Sequence, residues 1–167
     1  MTKSTLITET TSKYVLDSLD KQGLSVDREV ELDRPSMPED ITALNDEDLM
    51  LLYTRFSMYS DFVNTQLSCA VVDEKELERQ ISYEESVALL RLQSENPKST
   101  VTSLKAMADS EESINSLKKE HMNKYAYRKV LETMANNCER SSSVCSRELT
   151  RRTSSDNFKT RSRKFNI

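Results

Sequence analysis

Between Leu49 and Leu92 apolar side chains recur at mostly alternating steps of three and four residues. Leu49, Leu52, Phe56, Tyr59, Val63, Leu67, Ala70, Leu77, Ile81, Ala88 and Leu92 fall near one stripe. That period predicts a long helix burying one narrow face against another helix. A second run, through Ile114, Leu117, His121, Tyr125, Leu131, Ala135, Cys138, Ser142, Cys145 and Leu149, repeats the pattern. Together the two predict an all-α fold, a long antiparallel helical hairpin of coiled-coil type. A two-helix seam has little room for a catalytic pocket, so the pattern points first to an assembly or binding protein.

Local signals set the boundaries. Asn45 followed by Asp46, Glu47 and Asp48 is an N-cap with acids where the helix dipole favours them. The first long helix is therefore expected over about residues 46–94, with Pro97 just beyond. A polar connector follows from Ser94 to Asp109, with room for one helical turn at Leu104 to Ala108. Asp109 or Ser110 is expected to cap the second helix, residues 110–152, with Glu111 and Glu112 in its first turn. Residues 1–45 form an acidic arm, partly disordered, either flexible or docking. Within it Ser12 to Lys21 suits a short helix burying Tyr14, Val15, Leu16 and Leu19 and stopping at Gly23. Pro35 and Pro38 keep the following stretch extended. Residues 153–167 make a basic tail, expected to be disordered without a partner.

Composition narrows the classes. Gly23 is the only glycine and Trp is absent among 167 residues, while charged residues make up 31%. A Gly-rich phosphate loop is thereby excluded, and with it most nucleotide-binding enzymes. There is no eighteen-residue apolar run and no signal peptide, so the expectation is a soluble, cytoplasmic protein without a membrane partner (host cytoplasm if phage-encoded). Long paired helices bury little surface alone, which favours a homo-oligomer; the alternative is that the N-terminal region folds back over the hairpin. Cys69, Cys138 and Cys145 lack a C-x-x-C spacing and read as small buried thiols, with no metal site expected. His121 is the only histidine and lies on the interior stripe, where a packed imidazole is the expectation. No nucleophile–base constellation is present, so a non-enzymatic protein without cofactor is expected.

Charge supplies the candidate chemistry. The net charge is -4, but it is unevenly spread. From Arg147 onward the chain carries Arg147, Arg151, Arg152, Lys159, Arg161, Arg163 and Lys164 against Glu148 and Asp156 alone. A second cluster, Lys118, Lys119, Lys124, Arg128 and Lys129, is interleaved with Tyr125 and Tyr127. Cations that follow phosphates, with aromatics on which bases stack, compose single-strand binding surfaces. For the second cluster the competing expectation is pairing with Asp73, Glu74, Glu76, Glu78, Glu84 and Glu85 on the first helix. Tyr125 sits on the expected buried stripe; Tyr127 lies off it and is the better stacking candidate.

Leu51 to Phe62 resembles the opening helix of small phage proteins whose second helix carries an Ala-Asp element, a mid-helix Tyr and a basic Ser-Arg-Glu-Leu-like end. The corresponding residues are Ala108-Asp109, Tyr125 or Tyr127, and Ser146 to Arg152. On these residues the chain resembles the UvsY-like recombination mediators of T4-type phages, over about residues 49–152. The resemblance implies a helical, ring-forming protein that binds single-stranded DNA and loads a recombinase in place of the single-strand binding protein. The arm and the tail have no counterpart in that resemblance. The expected phosphate contacts are Arg147, Arg151, Arg152, Arg161, Arg163 and Lys164, then Lys118, Lys119, Lys124, Arg128 and Lys129. The alternative is a phage virion structural or scaffold protein whose tails dock on neighbouring subunits.

Overall fold

The computed structural model describes residues 3–31 and 33–165, with side chains at 4–31 and 33–154. Helix dominates it. A short strand β1 (Lys3–Thr5) leads to helix α1 (Thr10–Lys21), strand β2 (Glu29–Glu31) and a single 3-10 turn at Ile41–Ala43. Helices α2 (Asp46–Glu95), α3 (Val101–Asp109) and α4 (Glu112–Phe165) follow. Neither Gly nor Pro interrupts α2 or α4, so nothing in either sequence stops propagation. Asn45 caps α2 as expected: its Oδ1 accepts from the Asp48 N–H at 2.7 Å. The all-α hairpin is the fold.

The described chain forms two compact units, each built around a stretch of α2 lying antiparallel to a stretch of α4. In the first unit, residues 1–5, 28–65 and 131–167, Leu49, Phe56 and Cys145 pack together with Leu52, Tyr53 and Leu149 beside them. Ile41 and Leu44 close over the same cluster. β1 and β2 pair antiparallel here, Ser4 opposite Val30. In the second unit, residues 6–27 and 66–130, Ala88, Leu92, Leu104, Ala108 and Ile114 form the core where α3 turns the chain between the long helices.

Several boundaries depart from the sequence expectation. The connector holds a nine-residue helix rather than one turn, because Thr100 caps it and Leu104 and Ala108 bury its inner face. Ser110 ends α3, its hydroxyl donating to the Met107 carbonyl at 2.7 Å, and so does not cap α4. The α4 backbone continues to Phe165, past the expected end at 152, since residues 153–165 contain no helix breaker.

The N-terminal segment takes the docking alternative. α1 ends at Lys21, and Gly23 just beyond it takes a φ of 78°, a left-handed conformation that favours glycine. The Leu24 N–H then returns to the Leu19 carbonyl and the Gly23 N–H to that of Asp20. The other end of α1 rests on α2. Asp73, 7% exposed, accepts from the Ser12 N–H at 3.2 Å, the Ser12 hydroxyl at 2.8 Å and the Glu9 N–H at 3.3 Å. A buried carboxylate at the positive end of a helix dipole is well placed. Gln66 grips Ile7 like a strand partner, accepting from its N–H at 2.7 Å and donating to its carbonyl at 2.8 Å. Of the side chains expected inside α1, Leu16 is buried, Leu19 is half-buried, and Tyr14 and Val15 face water. Ser12 is buried in their place, because the polar seat on α2 sets which face turns inward.

Leu49 is 0% exposed. Leu49→Ala is expected to cost about 2–5 kcal/mol by urea denaturation, against about 0.5 kcal/mol or less for Met50→Ala on the exposed face.

Candidate nucleic-acid interface

The second-unit cations of the candidate surface divide by how deeply their stems are buried. On α4 the inward stripe passes from His121 through Lys124 and Arg128 to Leu131, at steps of three and four. Tyr125 lies one position off this stripe and is 41% exposed, so the expectation that it belongs to the core is corrected. Lys and Arg can occupy seam positions because their long stems pack while their heads reach a partner. The Arg128 side chain, 18% exposed, binds the buried Glu74 through Nε, with a further contact from Nη2 to Oε1 at 3.4 Å. Lys124 binds Glu9, carried in by the docked N-terminal segment. Lys118 is shared by Glu85 at 2.8 Å and Asp109 at 2.7 Å, which raises its pKa.

Pairing with acids therefore accounts for Lys118, Lys124 and Arg128. Only part of the expected acid set is used, since Asp73 holds Ser12 instead and Glu76 pairs with Arg79 at 2.8 Å. Lys119 is exposed and makes no ion pair among the described residues. Lys129 and Arg128 stand over the Tyr125 ring, 5.8 and 5.3 Å from its centroid. Tyr127, the expected stacking residue, lines a cleft of about 360 Å³ with Ile7, Gln66 and Ala70. It is 39% exposed, close to the value for Tyr125, and burial of its hydroxyl raises that group's pKa.

In the first unit Arg152 has a different place from that expected. Its guanidinium binds the Leu44 carbonyl at 2.8 Å, Asp46 at 2.7 Å, the Thr42 carbonyl at 3.2 Å and Glu148 at 2.8 Å. These bonds gather the 3-10 turn and the start of α2 onto α4, and leave the side chain 17% exposed. Arg151 pairs with the same Glu148 at 2.7 Å but is 63% exposed. Arg147 is exposed and free of ion pairs among the described residues, as is Arg140, seven residues before it and so on nearly the same face. Spacing does not single out Arg140, because it precedes the acid-poor segment that begins at Arg147.

Beside Arg147 lies an open cleft of about 400 Å³ lined by Tyr53, Ser57, Ser60, Asp61, Glu139, Ser142, Ser143 and Ser146. The Ser57 and Ser142 hydroxyls are 3.3 Å apart across it. Hydroxyls beside an arginine can donate to phosphate oxygens. In the sequence Ser142 falls on the second stripe, but nothing in the spacing of these serines marks a cleft between two helices. Arg161, Arg163 and Lys164 lie on the described α4 backbone, but their side chains are outside the described residues.

Cys69, Cys138 and Cys145 are free and buried, and burial raises each thiol's pKa, which makes them poor nucleophiles. Glu74, Glu78 and His121 bring three potential metal donors within 4.8 Å of one another. Among the described residues no helix is long and apolar enough to cross a membrane. Comparison with protein-family models, curated proteins and solved structures finds no match.

The Glu148 carboxyl is pulled from its usual 4.5 to about 2, first by hydrogen bonds from Arg151 and then by those from Arg152. A depressed carboxylate stabilises the fold above its unfolded pKa and loses that contribution as pH falls through the folded value. The melting temperature is accordingly expected to drop between about pH 5 and pH 2, and Glu148→Gln should flatten that limb while lowering stability at pH 7.

Proposed function

We propose that this chain is a non-enzymatic protein that self-associates and binds single-stranded DNA along the outer face of α4, promoting recombinase loading as the resemblance to phage recombination mediators implies. The observation that carries the reading is the exposed arginine face of the first unit, Arg140, Arg147 and Arg151, of which Arg147 lines the cleft. Arg147 and Arg151 remain phosphate contacts in this reading; Arg152 holds the fold and sets their position. Arg161, Arg163 and Lys164 extend the same basic segment in sequence. Lys119 and Lys129 supply secondary contacts, with the half-exposed Tyr125 and Tyr127 rings as stacking surfaces. Weak contacts of this kind gain from repetition, so assembly of several subunits would raise the avidity for a strand.

Self-association has its own support. Tyr83, Val87 and Leu90 stand at helical spacing on α2 and are 66%, 44% and 70% exposed. An apolar stripe facing water favours a partner helix, and a second copy is the simplest source. The same stripe favours the alternative reading, a structural or scaffold protein of a phage particle, in which subunits associate and bind no DNA.

One pair of measurements separates the two. Sedimentation is expected to give a mass above that of the monomer in both readings. Fluorescence anisotropy with a labelled single-stranded oligonucleotide at low salt should show binding only in the first. There, the double variant Arg147→Ala with Arg151→Ala should weaken binding and flatten the log–log salt slope by about 0.7 for each phosphate no longer neutralised. Truncation after Ser154 should do the same while leaving Arg152 in place. Association without any anisotropy change would favour the scaffold reading, and a clean monomer would count against both.

A further inference from the structure

The second unit holds a cluster that the DNA-binding reading does not use. Glu74 and Glu78 stand four residues apart on α2 and so share a face, and His121 meets them from α4. Each carboxylate meets a cation on one side and the imidazole on the other. Oε2 of Glu74 takes Arg128, and Oε2 of Glu78 takes Lys75 at 2.5 Å. Oε1 of each lies toward Nε2 of His121, at 3.9 Å from Glu74 and 3.3 Å from Glu78, although Glu74 Oε1 also receives Arg128 Nη2 at 3.4 Å. Two carboxylate oxygens and one imidazole nitrogen thus lie within 4.8 Å of one another.

We propose that Glu74, Glu78 and His121 bind a divalent transition-metal ion of the zinc type, joining α2 to α4, with water completing the coordination. Bonds of about 2.0–2.1 Å to zinc place tetrahedral ligands about 3.3 Å apart, close to the His121–Glu78 separation. The surroundings suit a ligand set. Lys75 holds Glu78 through the oxygen that does not face His121, and Arg128 holds Glu74 through Oε2 with a longer contact to Oε1, the orienting role outer partners take at metal sites. The Glu74 side chain is 4% exposed, while those of His121 and Glu78 are 27% and 39% exposed, so one side of the site is protein and the other is open to water. The imidazole favours zinc and its neighbours over magnesium or calcium, which prefer oxygen throughout. Lys75 is 68% exposed and its bond to Glu78 is a weak surface pair that an incoming cation can displace.

The test uses the full chain, stripped with chelator and titrated with zinc chloride in a calorimeter. The site predicts one zinc per chain and a rise in melting temperature on addition of zinc. Glu78→Gln and His121→Ala should each weaken binding by about tenfold or more. Both positions are partly exposed, so metal-free melting temperatures near that of the parent will show that these variants fold; Glu74 is left intact because its loss would strand Arg128. Cobalt(II) gives an independent readout. Nitrogen and oxygen ligands produce only weak visible bands, whereas coordination by Cys69, Cys138 or Cys145 would add an intense thiolate charge-transfer band. No heat with zinc, binding unchanged in both folded variants, or a thiolate band would overturn the proposal.

Discussion

A polar inset in the seam between α2 and α4 is the feature on which the second unit depends. Two paired helices bury one stripe each, and here that stripe is interrupted by Gln66, Asp73 and Glu74 on α2 and by Lys124 and Arg128 on α4. Each of these groups has a specific partner. Glu74 closes on Arg128, and a helix shifted by one turn would leave that carboxylate buried without its cation, a loss of about 3–5 kcal/mol. Register is thereby fixed more sharply than by interchangeable apolar residues. Asp73 and Gln66, both buried, receive the chain's own N-terminal segment.

That segment supplies the third layer a bare hairpin lacks. In the second unit α1 lies on the seat that Asp73 provides, and Glu9 brings the counter-charge for Lys124. In the first unit the stretch ending at Leu44 is tied to α4 by Arg152 and packs Ile41 and Leu44 over Leu49 and Phe56. Glu9, one acid of residues 1–45, thus has a structural use, neutralising Lys124 of α4. What remains for an external anion is the set outside these ties, above all Arg140 and Arg147.

The sequence made the long elements legible because their signals are local. The three–four periodicity marks α2 and α4, Asn45 marks where α2 begins, and Gly23 marks where α1 ends. The seam's charged members are not legible in the same way. A search for apolar residues steps from His121 to Tyr125 and passes over Lys124 and Arg128, which occupy the stripe with their stems. Arg152 looks like a tail cation because its partners, Asp46 and the carbonyls of Thr42 and Leu44, lie more than a hundred residues away. The approach of Glu78 to His121 spans 43 residues and leaves no trace in spacing. The inward face of α1 differs from the apolar pattern because Ser12, a capping residue by habit, is the one that Asp73 draws inward.

The central claim is that residues 6–21 are a structural layer held by the polar inset rather than a free arm. Hydrogen–deuterium exchange at the amides of Ile7, Glu9 and Ser12 tests it most directly, since these N–H groups donate to Gln66 and Asp73. In the parent protein they should exchange well below the rate of an unstructured peptide. In Asp73→Ala the Glu9 and Ser12 amides should become fast while those in the middle of α2 stay protected. Unprotected amides at all three positions in the parent protein would contradict the account.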